Sequence, residues 1–600
     1  MILQELARYY ERKTNDLDTA LPPEGFEKKE IPFVLVIDKD GRLVQIEDTR
    51  SGDGKKKRAR IFMVPHGAKK SVDIAANLLW GTCEYAISLD TKGGSKRVAK
   101  QYACFRSLLK DLPAQDAGVR AVCHFLDGNC LDQLRMSPLW DELRITASPI
   151  SFQLNTDTAL ICEREAVITA VKTGVARPNS KAEPTGCGVC LITGEEAQIE
   201  RIHPPIKGVW GGGTFGSSIV CFNDRAYESY GKEKLQGLNA PIGKRAAFAY
   251  TTALNHLLGK DSKQRIQVGD STTVFWASAE NQLEGSFASF FNEPTKDDPD
   301  ANTPAVRALY RSVEQGSQNV SDVETHFFVL GLVAPDQARL SIRFWLNETV
   351  ERLALRIIDH FKDTSIVPFQ DPRAKDRQWR KPKEPLPQHL SLSRLLRSTA
   401  LRDEAENIPP SLGGDTMRAI LSGLPYPETL LLGALRRIRA EREVNYPRAA
   451  LIKACINRKA RWGNPALKEE LHVSLDLTNT NVGYRLGRLF AALEKVQEEA
   501  SPGLNATIRD RFYGAASSTP VTVFSNLLKL SKHHLAKIKN RGRAVNLEKL
   551  IGEIADAIDG IMGFPNHLSI ADQGRFAIGY YHQKQAFNAK KSEPAQGEQA

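Results

Sequence analysis

Long apolar runs are missing from this sequence. No run of about 18 consecutive apolar residues, the length that a membrane-spanning helix needs, occurs in the 600 residues. The opening MILQELARYYERK has no basic segment ahead of an apolar one, and its apolar residues have the spacing of an amphipathic helix rather than of a signal peptide. We therefore expect a protein without a membrane partner.

Cysteine is sparse, with nine residues scattered along the chain, which is typical of a reducing cytoplasm. Only Cys187 and Cys190 form a C-x-x-C pair, and His203 and Cys221 do not complete any standard zinc spacing. A turn that enters a strand at residues 190–192 is the favoured interpretation. The sequence leaves open whether the pair binds anything, and we predict no metal site and no cofactor.

Recognisable catalytic motifs are also absent. The sequence has no Walker A loop, no H-E-x-x-H, no G-x-S-x-G and no set of carboxylates at two-metal spacing. We therefore predict no catalytic residues. The alternative is a nuclease or nucleic-acid-modifying enzyme whose site has no recognisable motif.

Positive charge, by contrast, is abundant, with a formal net charge of +11. Residues 51–70 hold one acid and are rich in cations on both sides of a short apolar run. Thr49 and Lys56 rule out a phosphate loop around Gly54, because that loop needs glycine and then serine or threonine at those positions. A longer polyanion is the favoured partner. The cations of this segment are Lys55, Lys56, Lys57, Arg58, Arg60, Lys69 and Lys70.

The periodicity predicts an α+β fold with an N-terminal region of β-hairpin and helix, a β-rich middle and an all-α bundle at the C-terminus. Strands are expected at 31–38, at 42–48 after the turn DKDG, and at 60–64. The domains are expected at residues 1–145, 146–367, 391–480 (a helical connector) and 481–600, with a basic proline-rich linker at 368–390 and a disordered tail from about 592.

In the middle region, strands are predicted at 150–155, 271–279, 326–334 and 339–346, followed by a helix with Asn347 as its N-cap. The segment VWGGGTFGSS has no strand–helix context for dinucleotide binding. Three interpretations remain for it: a close approach to a sugar-phosphate backbone, a wedge between bases, or a plain surface loop. The residues concerned are Trp210, Gly211, Gly212, Gly213 and Phe215.

Beyond the linker every apolar pattern has helical spacing. In 523–543 one face is apolar and the opposite one is basic, and cations recur in RRIRAER and INRKAR, which favours a polyanion partner again. The basic stripe consists of Lys529, Lys532, Lys537, Lys539, Arg541 and Arg543.

Several long segments resemble one family, the large subunit of the type I-C CRISPR surveillance complex, Cascade. They occur in the family's order from residue 1 to about 590. They are MILQELARYYER, the GKKKRAR loop, GLNAPIGKRAAFAYTTALNHLL, REVNYPRAALIKACINR, NTNVGYRLGRLFAALEKVQEEA, GLNATIRDRFYGAAS and DQGRFAIGYYHQKQAF.

The resemblance implies a non-enzymatic protein at the 5′ handle of the crRNA that recognises the protospacer-adjacent motif (PAM) on double-stranded DNA. It implies a role in R-loop formation, in holding the displaced strand and in recruiting the helicase-nuclease. The implied protein partners are the backbone and handle-binding subunits and a small subunit, which the C-terminal bundle resembles.

With this partner, the basic hairpin loop would neutralise DNA phosphates. Lys69, Lys70, Ser71 and Asn77 would probe base edges, since lysine and asparagine suit guanine and adenine. A solvated loop is the alternative for these residues, and a pure assembly scaffold is the alternative for the whole chain.

Overall fold

The structure is a computed structural model. It describes residues 2–14, 21–52, 58–67, 74–90, 95–128, 130–146, 148–173, 186–222, 237–292, 303–314, 324–369, 387, 389–467, 469–558 and 563–589. Two compact units divide the chain, the first made of Met1–Pro204 and Val220–His256, and the second of Pro205–Ile219 and Leu257–Ala600. Small sheets and many helices confirm the α+β class. No helix in these ranges is both long and apolar enough to cross a membrane.

The first unit holds the N-terminal strands and short helices. Its elements are α1 (Ile2–Thr14), β1 (Phe26–Glu30), β2 (Phe33–Ile37), β3 (Leu43–Asp48), β4 (Ile61–Pro65), β5 (Trp80–Gly81), α2 (Cys83–Ala86), α3 (Ser95–Leu109), α4 (Ala117–Asp127), α5 (Cys130–Arg135), α6 (Trp140–Thr146), β6 (Ile150–Leu154), α7 (Glu165–Lys172), β7 (Cys187–Val189), β8 (Glu196–Gln198) and α8 (Lys244–Leu257), whose last residue begins the second unit.

The main sheet of the first unit has the order β3-β2-β6-β5. The predicted hairpin is confirmed, with Leu35 of β2 opposite Ile46 of β3 in an antiparallel pair. β6 pairs with β2 in parallel, and every residue of β2 is buried because neighbours cover both faces of the sheet. Phe105 of α3 and Phe125 of α4 pack against Phe152 of β6. The predicted third strand, β4, pairs with β1 in a separate antiparallel ribbon.

The second unit holds a four-stranded sheet and the C-terminal helices. Its elements are β9 (Arg265–Val268), β10 (Ser271–Ala277), α9 (Gln282–Phe291), α10 (Thr303–Glu314), β11 (His326–Val333), β12 (Ser341–Thr349), α11 (Val350–Thr364), α12 (Leu392–Arg397), α13 (Leu412–Ser422), α14 (Glu428–Glu441), α15 (Tyr446–Gly463), α16 (Val482–Ala500), α17 (Ile508–Ser518), α18 (Phe524–Lys537), α19 (Arg541–Asp556) and α20 (Ile570–Asn588).

Three of the four strands predicted for the middle region, β10, β11 and β12, are confirmed in an antiparallel meander of order β12-β11-β10-β9, whose β9 was not predicted. The fourth, at 150–155, is confirmed as β6 but belongs to the sheet of the first unit. The predicted N-cap of α11 is wrong. The β11–β12 ladder continues to Thr349 opposite His326, so Asn347 is still in the strand. Thr349 takes the cap, and its hydroxyl accepts a hydrogen bond from the backbone N–H of Arg352.

One hydrophobic core runs through the second unit, from Ile266 on β9 to Tyr581 on α20. α20 packs against the connector as well as against the bundle. Its Gly574 lies against Ile452 and Ile456 of α15, and the Tyr581 hydroxyl donates to the carbonyl oxygen of Val367 at 2.9 Å. The core therefore has no break at residue 480, where the sequence suggests a domain boundary.

Helices α16 and α20 cross with their backbones in contact. A Cβ atom on Gly487 would overlap the carbonyl oxygen of Phe576, and one on Gly579 would overlap the carbonyl oxygen of Tyr484. Glycine is required at both positions because any side chain would push the two axes apart. These glycines also stand in two segments that carry the family resemblance, GYRLGRLF and IGYYHQ.

We predict that Gly487→Ala lowers the thermal unfolding midpoint of the protein, because the new methyl group overpacks the crossing at a cost of about 1–3 kcal/mol. Gly514→Ala is the matched control, since this glycine lies within α17 and has open space around its Cβ position. Alanine there should be neutral or stabilising by up to about 1 kcal/mol. Equal midpoints for the two variants in differential scanning fluorimetry would contradict the close crossing.

Candidate nucleic-acid interface

The first basic loop connects two backbone-paired segments of the first unit. Ser51 and Arg58 exchange two hydrogen bonds, with N···O distances of 2.8 and 3.0 Å, and Arg60 donates to Thr49 at 3.2 Å. Lys55, Lys56 and Lys57 lie outside the described residues, between these paired ends. This pairing brings the two ends of the segment 53–57 together, as the basic hairpin loop of the sequence analysis requires.

The two arginines that follow this loop are both exposed. Arg60 already has partners within the protein. Its guanidinium lies 3.2 Å from the carboxylate of Glu47 and stacks over Phe62 at 4.5 Å from the ring centre. About half of its side chain, 51%, stays accessible. Arg58 is thus the more available cation of the two for a phosphate.

The second basic run cannot be placed, since Lys69, Lys70 and Ser71 lie outside the described residues. Asn77, the fourth predicted base reader, is only 8% exposed. It stands in the run 75–80, whose side chains are all buried. An amide buried in this way does not reach a base edge in this conformation. The apolar neighbours in AANLLW were the signal for burial, and we leave Asn77 out of the proposed interface.

The cations of α3 were given no role in the sequence analysis. α3 contains no aspartate or glutamate, and Lys96, Arg97 and Lys100 are exposed in its first two turns. The Cys104 thiol donates to the carbonyl oxygen of Ile74 at 3.9 Å, so α3 contacts the chain four residues after Lys70. The acid-free composition of SKRVAKQYACFRSLL was the signal that could have revealed this surface.

The glycine-rich loop is docked on the sheet of the second unit by its backbone. Gly213 donates to the carbonyl oxygen of Gln337 at 3.0 Å, and Trp210 donates through its backbone N–H to the Thr272 hydroxyl at 2.9 Å. Gly211 has φ +79°, and a Cβ atom on Gly213 would come within 2.7 Å of the Gln337 carbonyl oxygen. The glycines thus permit a close, well-anchored approach to the β11–β12 turn.

Two aromatic side chains project from this anchored loop. Trp210 is 68% exposed and Phe215 is 90% exposed. Single exposed apolar side chains are common on protein surfaces, but two aromatic rings on one backbone-anchored loop are both available to contact a partner. Of the three interpretations of this loop, the wedge between bases is the one that suits two exposed rings on an anchored loop, and it stays a prediction.

The basic stripe of the C-terminal bundle is largely exposed. α18 buries Phe524, Leu527 and Leu535 and turns its cations outward. Arg543 is an exception, because its guanidinium binds the carboxylate of Glu499 through contacts of 3.0–3.2 Å. The other cations of the stripe are exposed: Lys529, Lys532, Lys537, Lys539 and Arg541.

Two cations of INRKAR are bound to a carboxylate of the protein instead of extending an exposed stripe. Arg458 is 3% exposed and donates to the carboxylate of Asp363 at 2.8 Å, while Arg461 binds both oxygens of the same carboxylate at 2.9 Å. In RRIRAER, Arg439 is bound to the side chain of Gln573 on α20. Much of this charge stabilises the packing of the helices.

The C-x-x-C pair is in a small hairpin. Cys187 begins β7 and is exposed, whereas Cys190 is buried and accepts a hydrogen bond from the backbone N–H of Gly243 at 3.2 Å. The strand predicted at 190–192 is wrong, because the strand ends at Val189 and the chain turns there to pair with β8. Within the described ranges, no three potential metal ligands come together.

A protein-family model matches nearly the whole chain. The model of the family described as CRISPR-associated protein (Cas_Csd1) matches residues 6–588. The chain belongs to this family. No curated protein matches it. Membership of the Cas_Csd1 family confirms the resemblance as far as a CRISPR-associated protein, while the type I-C assignment and the role of each residue stay predictions.

Proposed function

We propose that this Cas_Csd1 family member is the non-catalytic large subunit of a type I-C Cascade. It would recognise the PAM on double-stranded DNA, promote R-loop formation, hold the non-target strand and help recruit the helicase-nuclease. Its other proposed partners are the 5′ handle of the crRNA, the backbone and handle-binding subunits, and a small subunit; these follow from the family resemblance alone.

The exposed pair of aromatic residues, Trp210 and Phe215, is the observation that carries the proposal. Proteins that open or kink a duplex insert an apolar side chain between base steps and must hold it firmly enough to oppose stacking. The hydrogen bonds of the loop to Gln337 and Thr272 supply that anchorage. A loop built in this way can drive the first separation of the strands.

Duplex binding before this opening is assigned to the cations of the first unit. Lys55, Lys56, Lys57, Arg58 and Arg60 would contact phosphates, and the exposed cations of α3 would extend that contact. In RNA-guided recognition, base pairing reads most of the target and the protein reads the short PAM and the backbone. Lys69, Lys70 and Ser71 remain the proposed readers of the PAM.

The exposed lysines around α18 are assigned to the displaced strand. A single strand is held without sequence preference by a cationic groove that follows its backbone. Lys529 and Lys532 are one helical turn apart, and Lys537 and Lys539 continue the cationic surface past the end of α18. The spacing suits successive phosphates rather than one compact anion.

Lys55→Ala, Lys56→Ala and Lys57→Ala together are expected to weaken binding of the assembled complex to every duplex. The slope of log affinity against log salt should fall by roughly 0.9 for each phosphate that the variant no longer neutralises. Fluorescence anisotropy over a salt series measures it. The charge-matched control replaces Arg8, Arg135 and Arg144, three exposed arginines of the same unit that pair with acids of their own helices. An equal change of slope in the control would contradict phosphate contact at the loop.

Trp210→Ala with Phe215→Ala is expected to leave the first duplex encounter intact and to slow strand opening by about tenfold or more, since unstacking one step costs a few kcal/mol. A 2-aminopurine next to the PAM reports the opening. A target already mismatched at those base pairs is the control, because it needs no wedge and should open at the wild-type rate. Slow opening on this mismatched target would place the defect elsewhere.

Replacing Lys529, Lys532, Lys537 and Lys539 by alanine should leave PAM recognition unchanged and shorten the lifetime of the open, strand-separated state. The reason is the loss of the cationic groove for the displaced strand. The quadruple arginine variant keeps the charge and should behave like the wild type. R-loop lifetimes after addition of competitor DNA measure the effect. Loss of initial duplex binding would show that the stripe contacts a different nucleic acid.

A further inference from the structure

The second unit contains a polar cleft of about 190 Å³ that none of the assigned surfaces uses. Its size is below the range of about 300–1,000 Å³ typical of sites for whole cofactors. It lies between α11, the end of α13 and the last turns of α15. Its lining consists of Arg356, Asp359, Gly423, Arg458, Arg461 and Trp462.

Contacts with other groups of the protein fix the positions of the arginines of the cleft. Asp363 is 2% exposed and binds Arg458 and Arg461. Arg356 donates to the carbonyl oxygen of Leu421 and forms an ion pair with Glu348, both at 2.9 Å. The two bonds from Arg461 to Asp363 use two of the five N–H groups of its guanidinium. The cleft thus presents fixed, oriented donors that need no rearrangement before they bind a ligand.

The other groups at the cleft are an aromatic ring and an acceptor. Trp462, in the last turn of α15, is 60% exposed although indole is normally well buried. Asp359 lies one turn before Asp363 on α11 and is exposed. Gly423, with φ +69°, ends α13 without a side chain at the cleft wall. A Cβ atom there would lie 3.5 Å from the Nε atom of Arg356.

This combination matches the chemistry of one unstacked nucleotide. A base can stack on the indole, its amino group can donate to the Asp359 carboxylate, and its phosphate can accept from the arginines. A free inorganic anion would use the arginines but would not need the indole or the carboxylate. An apolar ligand would displace water from the guanidinium groups without replacing the hydrogen bonds of that water, which is costly.

We propose that this cleft binds one nucleotide of the displaced DNA strand, with its base on Trp462 and its phosphate near Arg461 and Arg356. The assignment to the displaced strand rests on the proposed function, because that strand is the unpaired DNA which the complex creates. The cleft then adds a stacking site to the purely electrostatic hold of the exposed lysines. Such a site would limit sliding of the strand.

The test uses the assembled complex and a fluorescein-labelled DNA single strand of mixed sequence. Trp462→Ala should weaken binding about fivefold or more, the lower end for loss of one stacked base. Trp462→Phe keeps a ring and should retain most of the affinity. Leu477→Ala removes a side chain that is 68% exposed in the same unit and should change nothing. In the wild type, a strand carrying 5-iodouracil should crosslink to Trp462 on irradiation.

Unchanged affinity of Trp462→Ala, or no crosslink at Trp462, would overturn the inference. Asp359→Asn provides a second variant: it replaces the acceptor by an amide and should change which base the cleft prefers while the unfolding midpoint stays constant. The same binding measurements with an RNA strand of the same sequence are the second arm of the experiment. If Trp462→Ala weakens RNA binding and leaves DNA binding intact, the cleft serves the guide RNA and the displaced-strand assignment is wrong.

The same measurements separate this inference from the proposed function. If the alanine variants at 55–57 and around α18 lose DNA binding while Trp462→Ala keeps it, the proposed function stands and the cleft has no part in it. If no variant of any of these surfaces alters DNA binding, the proposed function itself fails.

Discussion

The backbone contact between α16 and α20 is the constraint on which the second unit depends. Gly487 and Gly579 allow the two helices to touch, and Phe490 of α16 then packs against Phe576 of α20 and Phe524 of α18. Because Phe524 belongs to the buried face of α18, the crossing also fixes which way the opposite face points. The direction of the exposed lysines is thus set by two glycines that never contact a ligand.

Buried polar groups make this crossing specific as well as close. Glu494 of α16 is fully buried and accepts hydrogen bonds from Thr507 at 2.6 Å, Tyr580 at 2.5 Å and Lys584 at 3.3 Å. A buried carboxylate is tolerated only with such partners, so a shifted register would leave it uncompensated. Burial lowers the pKa of His582 to about 3, which keeps the ring neutral beside the Tyr484 hydroxyl near neutral pH.

Local patterns in the sequence were sufficient to predict most elements but not their long-range partners. Alternation and turn residues predicted the β2–β3 hairpin and the meander, because both depend on neighbours in the chain. The burial of Arg458 was beyond such patterns, since its partner Asp363 is 95 residues away. Trp210 and Phe215 were found from their glycine-rich context, whereas the cleft at Trp462 needs three helices that only the folded chain brings together.

Burial and pairing with carboxylates separate the cations that stabilise the fold from those available to a partner. Arg458 and Lys584 are both buried, the first bound to Asp363 and the second to Glu494. Lys529 and Lys532 are exposed on α18. A net charge of +11 therefore overstates the interface if every cation is counted. Cations on helices without acidic residues, such as α3, are a better guide to the nucleic-acid-binding surface of such a chain than its net charge is.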